Sequence, residues 1–162
     1  MKGPIDASKP AGLELRVPPV AVVLVIAIAM WLVANGLPSF AFDFPGRRWM
    51  VLALLIAGGV CGVAGVVSFR RARTTVDPRH PDKASRVVDS GIYRFTRNPM
   101  YLGLLLILAA WSLHLSSIAA LAGLAGFVIY MTRFQIVPEE RLLHAKFGEA
   151  YGRYLASVRR WL

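Results

Sequence analysis

Tyrosines, a glutamate pair and several arginines, gathered in two short stretches, are the residues here that could do chemistry. The first stretch, residues 90–101, holds Tyr93, Arg94, Arg97, Asn98, Pro99, Met100 and Tyr101; the second, about forty residues on, holds Arg133, Gln135, Pro138, Glu139 and Glu140. Carboxylates and tyrosine rings can together hold a positive charge, the rings through cation–π attraction. Asn98 followed by Pro99 reads as a helix N-cap and first helical residue, because asparagine accepts from a free first-turn N–H and proline has none to leave unpaired. A helix therefore starts there, its positive end and the preceding Arg94 and Arg97 facing any anionic group held in the loop. The same residue types also anchor helices at a bilayer surface, where arginine and tyrosine are common.

The elements that must position these residues belong to a membrane. The chain has 162 residues, 56% of them hydrophobic, and its mean hydropathy of +0.54 is too apolar for an ordinary soluble domain. A single domain is expected. The net charge of +10 lies between apolar runs, with no aromatic-interleaved soluble face for nucleic acid, so anionic lipid head groups are the expected partner. The single cysteine, Cys61, sits inside an apolar segment, which excludes an internal disulfide or a cysteine metal site. Residues 1–16 form a polar tail with Pro4, Pro10 and Gly12, expected to be loose or to lie along the surface. Residues 17–37 and 49–69 are charge-free runs, each long enough to span a hydrocarbon core of about 30 Å. In the second, the Gly58 to Gly62 spacing is a small-xxx-small packing face.

Residues 70–98 form a loop with eight Lys or Arg against three Asp, which the positive-inside rule places in the cytoplasm with both termini. The charge-free run that follows, residues 100–132, would be about 50 Å long as one helix. The polar interruption at residues 112–117 instead predicts a turn and a helical hairpin, with crossings at 99–113 and 117–136. Pro138 can start the next helix, with Glu139 and Glu140 in its first turn complementing the helix dipole. Apolar residues at spacings of three and four extend it as an amphipathic helix over 138–158. Glu140 and His144 lie four apart, but two ligands without a third make no metal site, and no metal is expected. The fold class is thus all-α and polytopic: about four crossings, the last two a hairpin, with a C-terminal amphipathic helix.

The string Gly91-Ile92-Tyr93, then Arg97-Asn98-Pro99-Met100-Tyr101, then Glu139-Glu140 and Phe147-Gly148-Glu149-Ala150-Tyr151 resembles the isoprenylcysteine carboxyl methyltransferases and the related phospholipid methyltransferases, over roughly residues 65–160. The resemblance implies a bacterial-type integral enzyme of the inner membrane that takes a methyl group from S-adenosylmethionine, leaving S-adenosylhomocysteine. It also implies that Tyr93, Asn98, Pro99, Met100, Tyr101 and Glu139 hold the cofactor, with Val87 and Val88 lining the same pocket. Arg97, Arg133 and Glu140 would then position the acceptor or its charge. Asn98 stands where that family has a titratable histidine, and Gln135 where the prenylcysteine enzyme has an arginine facing its substrate.

A hairpin between the two stretches returns its ends to one leaflet, so residues 98–101 and 133–140 should adjoin. Methyl transfer suits such a site, since its chief demands are alignment, exclusion of water and a setting for the sulfonium charge. A carboxylate acceptor needs no base; an amine acceptor would make Glu140 or Tyr101 the proton-taking candidate. Phospholipid amines, or a scaffold or small transporter without catalysis, are the alternative readings. The absence of charge within the first two spans argues against ion transport.

Overall fold

Apolar runs bounded by proline, glycine and arginine become helices throughout. The computed structural model describes residues 12–72 and 85–162; residues 73–84 of the basic loop, Arg73, Arg79 and Lys83 included, lie outside them, as do residues 1–11. Helix α1 is Pro19–Gly36, α2 Arg47–Arg71 and α3 Pro99–Leu115. One continuous helical rod, Ala119–Phe147, follows; it contains α4 (Ala122–Met131), a π turn (Thr132–Ile136) and α5 (Val137–Phe147). The last helix, α6, is Glu149–Ser157. The helices Pro19–Gly36, Arg47–Arg71 and Ala119–Phe147 are long and apolar enough to cross a membrane. Helix α3, with 17 residues, spans about 25 Å and reaches the short end of that range. The protein is an all-α polytopic membrane protein.

The core lies where α1, α3 and α4 meet, around Met30, Leu108, Ala120, Phe127, Met131 and Ile136. Helix α2 stands outside this core and packs along α3 through glycine. A Cβ on Gly58 would lie 2.8 Å from the Gly103 carbonyl, and one on Gly103 would lie 2.6 Å from the Gly58 carbonyl. The backbones can approach that closely only because neither position has a side chain. Trp49, Ile56 and Val60 on the other face of α2 are exposed, as suits a helix against lipid.

At the end of the bundle around Ser116 the connecting loops pair with one another. The Phe42 N–H donates to the Ser116 carbonyl and the Ile118 N–H to the Phe40 carbonyl. Arg47 reaches from the start of α2 to the last carbonyls of α3, donating to Leu113 and His114 at 3.0 Å each. These are carbonyls left free at a helix C-terminus, where a cation also meets the dipole. Arg47→Met is expected to lower unfolding stability by about 1–3 kcal/mol. Asp43→Asn, which removes only an exposed partner of Arg47, should shift it by less than about 0.5 kcal/mol. Denaturation of both variants in one detergent checks the contrast.

Three expectations are corrected at the opposite end. Pro138 does not start a separate helix, since the rod runs through it. Proline lacks the N–H that would bond four residues back, the chain widens there into a π turn, and the Val137 N–H donates to the Thr132 carbonyl. The amphipathic helix is not continuous over 138–158 but breaks at Gly148, whose φ of +52° glycine adopts without a Cβ penalty. Residues 12–16 of the N-terminal tail are not loose: Glu14 and Leu15 are buried, and the Leu15 N–H donates to the Phe134 carbonyl at 3.0 Å.

Candidate functional site

The start of α3 and the π turn come together as the hairpin requires, and the C-terminal tail closes over them. Asn98 occupies the N-cap position of α3, but its side chain makes no capping bond. Its Nδ2 donates instead to the Arg160 carbonyl at 2.9 Å, while the Arg97 N–H donates to the Arg159 carbonyl. The tail is pinned further by the Trp161 indole, which donates to Thr132 Oγ1 at 3.2 Å and sets its ring against Phe127. Asn98 therefore holds the tail, and no side chain caps α3; the Thr96 hydroxyl accepts from the Asn98 N–H at 3.2 Å in the turn before the helix.

Two carboxylates with opposite surroundings lie side by side. Glu139 accepts from the Tyr101 hydroxyl at 2.5 Å and from Gln135 Nε2 at 3.2 Å. Both donors are neutral, and among the described residues no cation pairs with it. Glu140 is held by two guanidiniums: Arg160 donates through Nε at 3.1 Å and Nη2 at 2.7 Å, and Arg97 Nη1 lies 3.2 Å away. Such a doubly paired carboxylate is compensated. Glu139 is not, and a half-buried unpaired carboxylate is costly unless it takes up a proton or a ligand supplies the positive charge. Burial pushes the phenols of Tyr93, Tyr151 and Tyr154 up, Glu140 adding to the effect at Tyr151, so these rings stay neutral. The Tyr154 hydroxyl donates to the Tyr93 carbonyl, and Tyr93 in turn packs edge-on against Phe69 of α2.

The remaining expected residues divide between two grooves. Val87 lines a polar groove of about 580 Å³ with Asp89, Arg94, Arg153, Tyr154 and Ser157, and Val88 beside it is buried. Met100 lines an apolar groove of about 450 Å³ between α2 and α3, with Gly62, Val63, Gly103, Leu104 and Arg70. Pro99 and Met100 sit over Gly65, where a Cβ would lie 2.7 Å from Met100 Cγ. Arg133 is not brought to Arg97 and Glu140; it pairs with Glu14 at 3.3 Å and lies over the Phe134 ring. Sequence reasoning missed Arg160 and Glu14. The only signal for either was a charge beside an aromatic or apolar residue near a span, in Arg159-Arg160-Trp161 and Glu14-Leu15.

The protein is thus a polytopic helical bundle with a tyrosine-bonded carboxylate, an apolar groove lined by Met100 and a polar groove lined by Val87. The profile of the phospholipid methyltransferase family matches residues 47–150, and the chain belongs to that family, which is grouped with the isoprenylcysteine carboxyl methyltransferases. The matched span holds α2, α3, the π turn and α5, and thus both glutamates. A Haemophilus influenzae protein described as uncharacterized is 51% identical over 63 residues, which is 39% of this chain and 100% of that protein. No solved structure matches.

Proposed function

We propose that this integral membrane protein is an S-adenosylmethionine-dependent methyltransferase that draws its donor from the aqueous side and a lipid-like acceptor from the bilayer. The observation that carries the reading is Glu139, a carboxylate bonded among the described residues only by the neutral donors Tyr101 and Gln135, within a cluster of tyrosines. A sulfonium or ammonium group supplies the missing positive charge, so these residues fit the cofactor. When bound, S-adenosylmethionine supplies an electrophilic methyl group on sulfur. Tyr101 and Gln135 orient Glu139 toward that charge, and the polar groove at Val87 and Tyr154 accommodates the cofactor's polar parts. The apolar groove at Met100 and Gly103 gives an acceptor's hydrocarbon chain a path to the same helix end, with Arg70 at its rim.

One observation bears on the acceptor. Four arginines that adjoin the two glutamates in space or in sequence are already paired, Arg97 and Arg160 with Glu140 and Arg133 and Arg141 with Glu14. Gln135, in the position where the prenylcysteine enzyme has an arginine, is spent on Glu139. A carboxylate acceptor would have to displace an existing ion pair, whereas the amine of a phospholipid would not. The ion-pair pattern thus favours N-methylation of a phospholipid amine over O-methylation of a prenylcysteine carboxylate. Neither Glu140, with both oxygens engaged, nor Tyr101, which donates to Glu139, is presented as a base, so an amine would arrive already neutral. By the positive-inside rule the site and both termini face the cytoplasm of a bacterial inner membrane, where anionic head groups meet the basic loop.

The test is calorimetric binding of S-adenosylmethionine and S-adenosylhomocysteine to protein in lipid nanodiscs, followed by transfer of a labelled methyl group to lipid. Binding of both and label that resists mild alkali in an amine phospholipid is the expected result. Alkali-labile label would move the acceptor to a carboxylate. No binding by folded protein would exclude the methyltransferase reading.

A further inference from the structure

The N-terminal strap meets the rod at a carbonyl that a proline leaves spare. Pro138 leaves the Phe134 carbonyl without its ordinary helical donor four residues on, and the Leu15 N–H fills it at 3.0 Å. Leu15 does so at a φ of +57°, a conformation a leucine adopts only when its surroundings impose it. Next to it the Glu14 side chain, 7% exposed, accepts from Arg141 Nη2 at 2.6 Å and pairs with Arg133 Nη1 at 3.3 Å. Arg133 and Arg141 lie on either side of Gln135 and Glu139 in the chain. One carboxylate therefore ties together both flanks of the turn that presents the candidate cofactor contacts.

We infer that Glu14 is a positioning residue, which clasps the π turn and thereby sets the direction in which Gln135 and Glu139 face. The inference rests on the reading of Glu139 as a cofactor contact, and it extends the functional unit beyond the span that matches the family, since Glu14 lies before residue 47. A helix widened at a proline has lost one of the bonds that fix its direction. The strap replaces that bond from outside the helix and adds two ion pairs across the weakened turn. Its charges are half-shielded, with Arg141 37% and Arg133 63% exposed, so the clasp can be released without opening the core.

Glu14→Gln tests this. The expected result is an affinity for S-adenosylmethionine weaker by about tenfold, the usual size of a lost supporting contact. Amide exchange is expected to accelerate over residues 132–141 while exchange in α2 and α3 stays unchanged. Pro138→Ala, which restores an N–H that competes with Leu15 for the Phe134 carbonyl, should release the strap and weaken binding in the same direction. Unchanged exchange over 132–141 in Glu14→Gln overturns the inference, and so does faster exchange with undiminished affinity. A wild-type protein that does not bind the donor overturns the cofactor reading and the positioning role together. Failure of the strap alone is recognised by a wild type that binds and a Glu14→Gln variant that binds equally well.

Discussion

Glu139→Gln is expected to weaken S-adenosylmethionine binding by about 100-fold, near 3 kcal/mol, because it removes the charge that faces a cationic ligand in a partly buried site. Tyr101→Phe should weaken it less, by about tenfold, since Gln135 still holds the carboxylate and only one of its two hydrogen bonds is lost. The order of the two effects is diagnostic. If the ligand met the cluster through the tyrosine hydroxyl, Tyr101→Phe would be the more damaging change. Glu140→Gln behaves differently from Glu139→Gln: it leaves Arg97 and Arg160 facing an uncharged partner, loosens the tail, and should lower the unfolding midpoint as well as affinity. Calorimetry and thermal unfolding on the same nanodisc preparations separate the three variants.

The two glycines of the small-xxx-small pair in α2 should respond in opposite senses. Gly58→Ala would place a Cβ 2.8 Å from the Gly103 carbonyl, backbone that cannot rotate away, and is expected to cost about 1–3 kcal/mol through forced separation of α2 and α3. Gly62→Ala meets nothing within 4 Å and should be neutral or stabilise the helix by up to about 1 kcal/mol. Gly103→Leu should exceed Gly58→Ala, because it wedges the same contact with a larger side chain. Unfolding by denaturant in mixed micelles reads all three. Equal losses at Gly58 and Gly62 would mean that the spacing marks a face for another partner rather than the α2–α3 seam.

The crossings were legible because charge-free runs in this chain are long and end at prolines and arginines. The hairpin was legible because residues 100–132 were too long for one span, and its turn falls at Ser116, with φ +54°, inside the polar interruption. Closure of that hairpin also made the meeting of Tyr101 with Glu139 a reasonable expectation. What sequence did not give depends on distant partners. Pro138 is a sound helix start by its local chemistry; it sits mid-rod because Leu15, over a hundred residues earlier in the chain, supplies a donor to Phe134. Asn98 has the right type for a cap, but a carbonyl of the tail takes its side chain. Arg160 carries no local sign that it will hold Glu140, 20 residues before it. In the amphipathic stretch the periodicity runs through Gly148 unbroken, and only the backbone angle at that glycine divides α5 from α6.

The placement of the tail has a consequence for how the protein is made. Arg159, Arg160 and Trp161 follow every crossing in chain order, yet they supply the carbonyls for Arg97 and Asn98, the second guanidinium for Glu140 and the ring against Phe127. During synthesis, which proceeds from the N-terminus at about 5–20 residues per second, the helices enter the bilayer while this end of the bundle is still open. The paired state of Glu140 thus forms only after the described helices have entered the bilayer, and it requires that they have been inserted in the correct orientation. A chain with one segment inverted would leave its tail on the wrong side of the membrane from Arg97, and Glu140 without its second guanidinium.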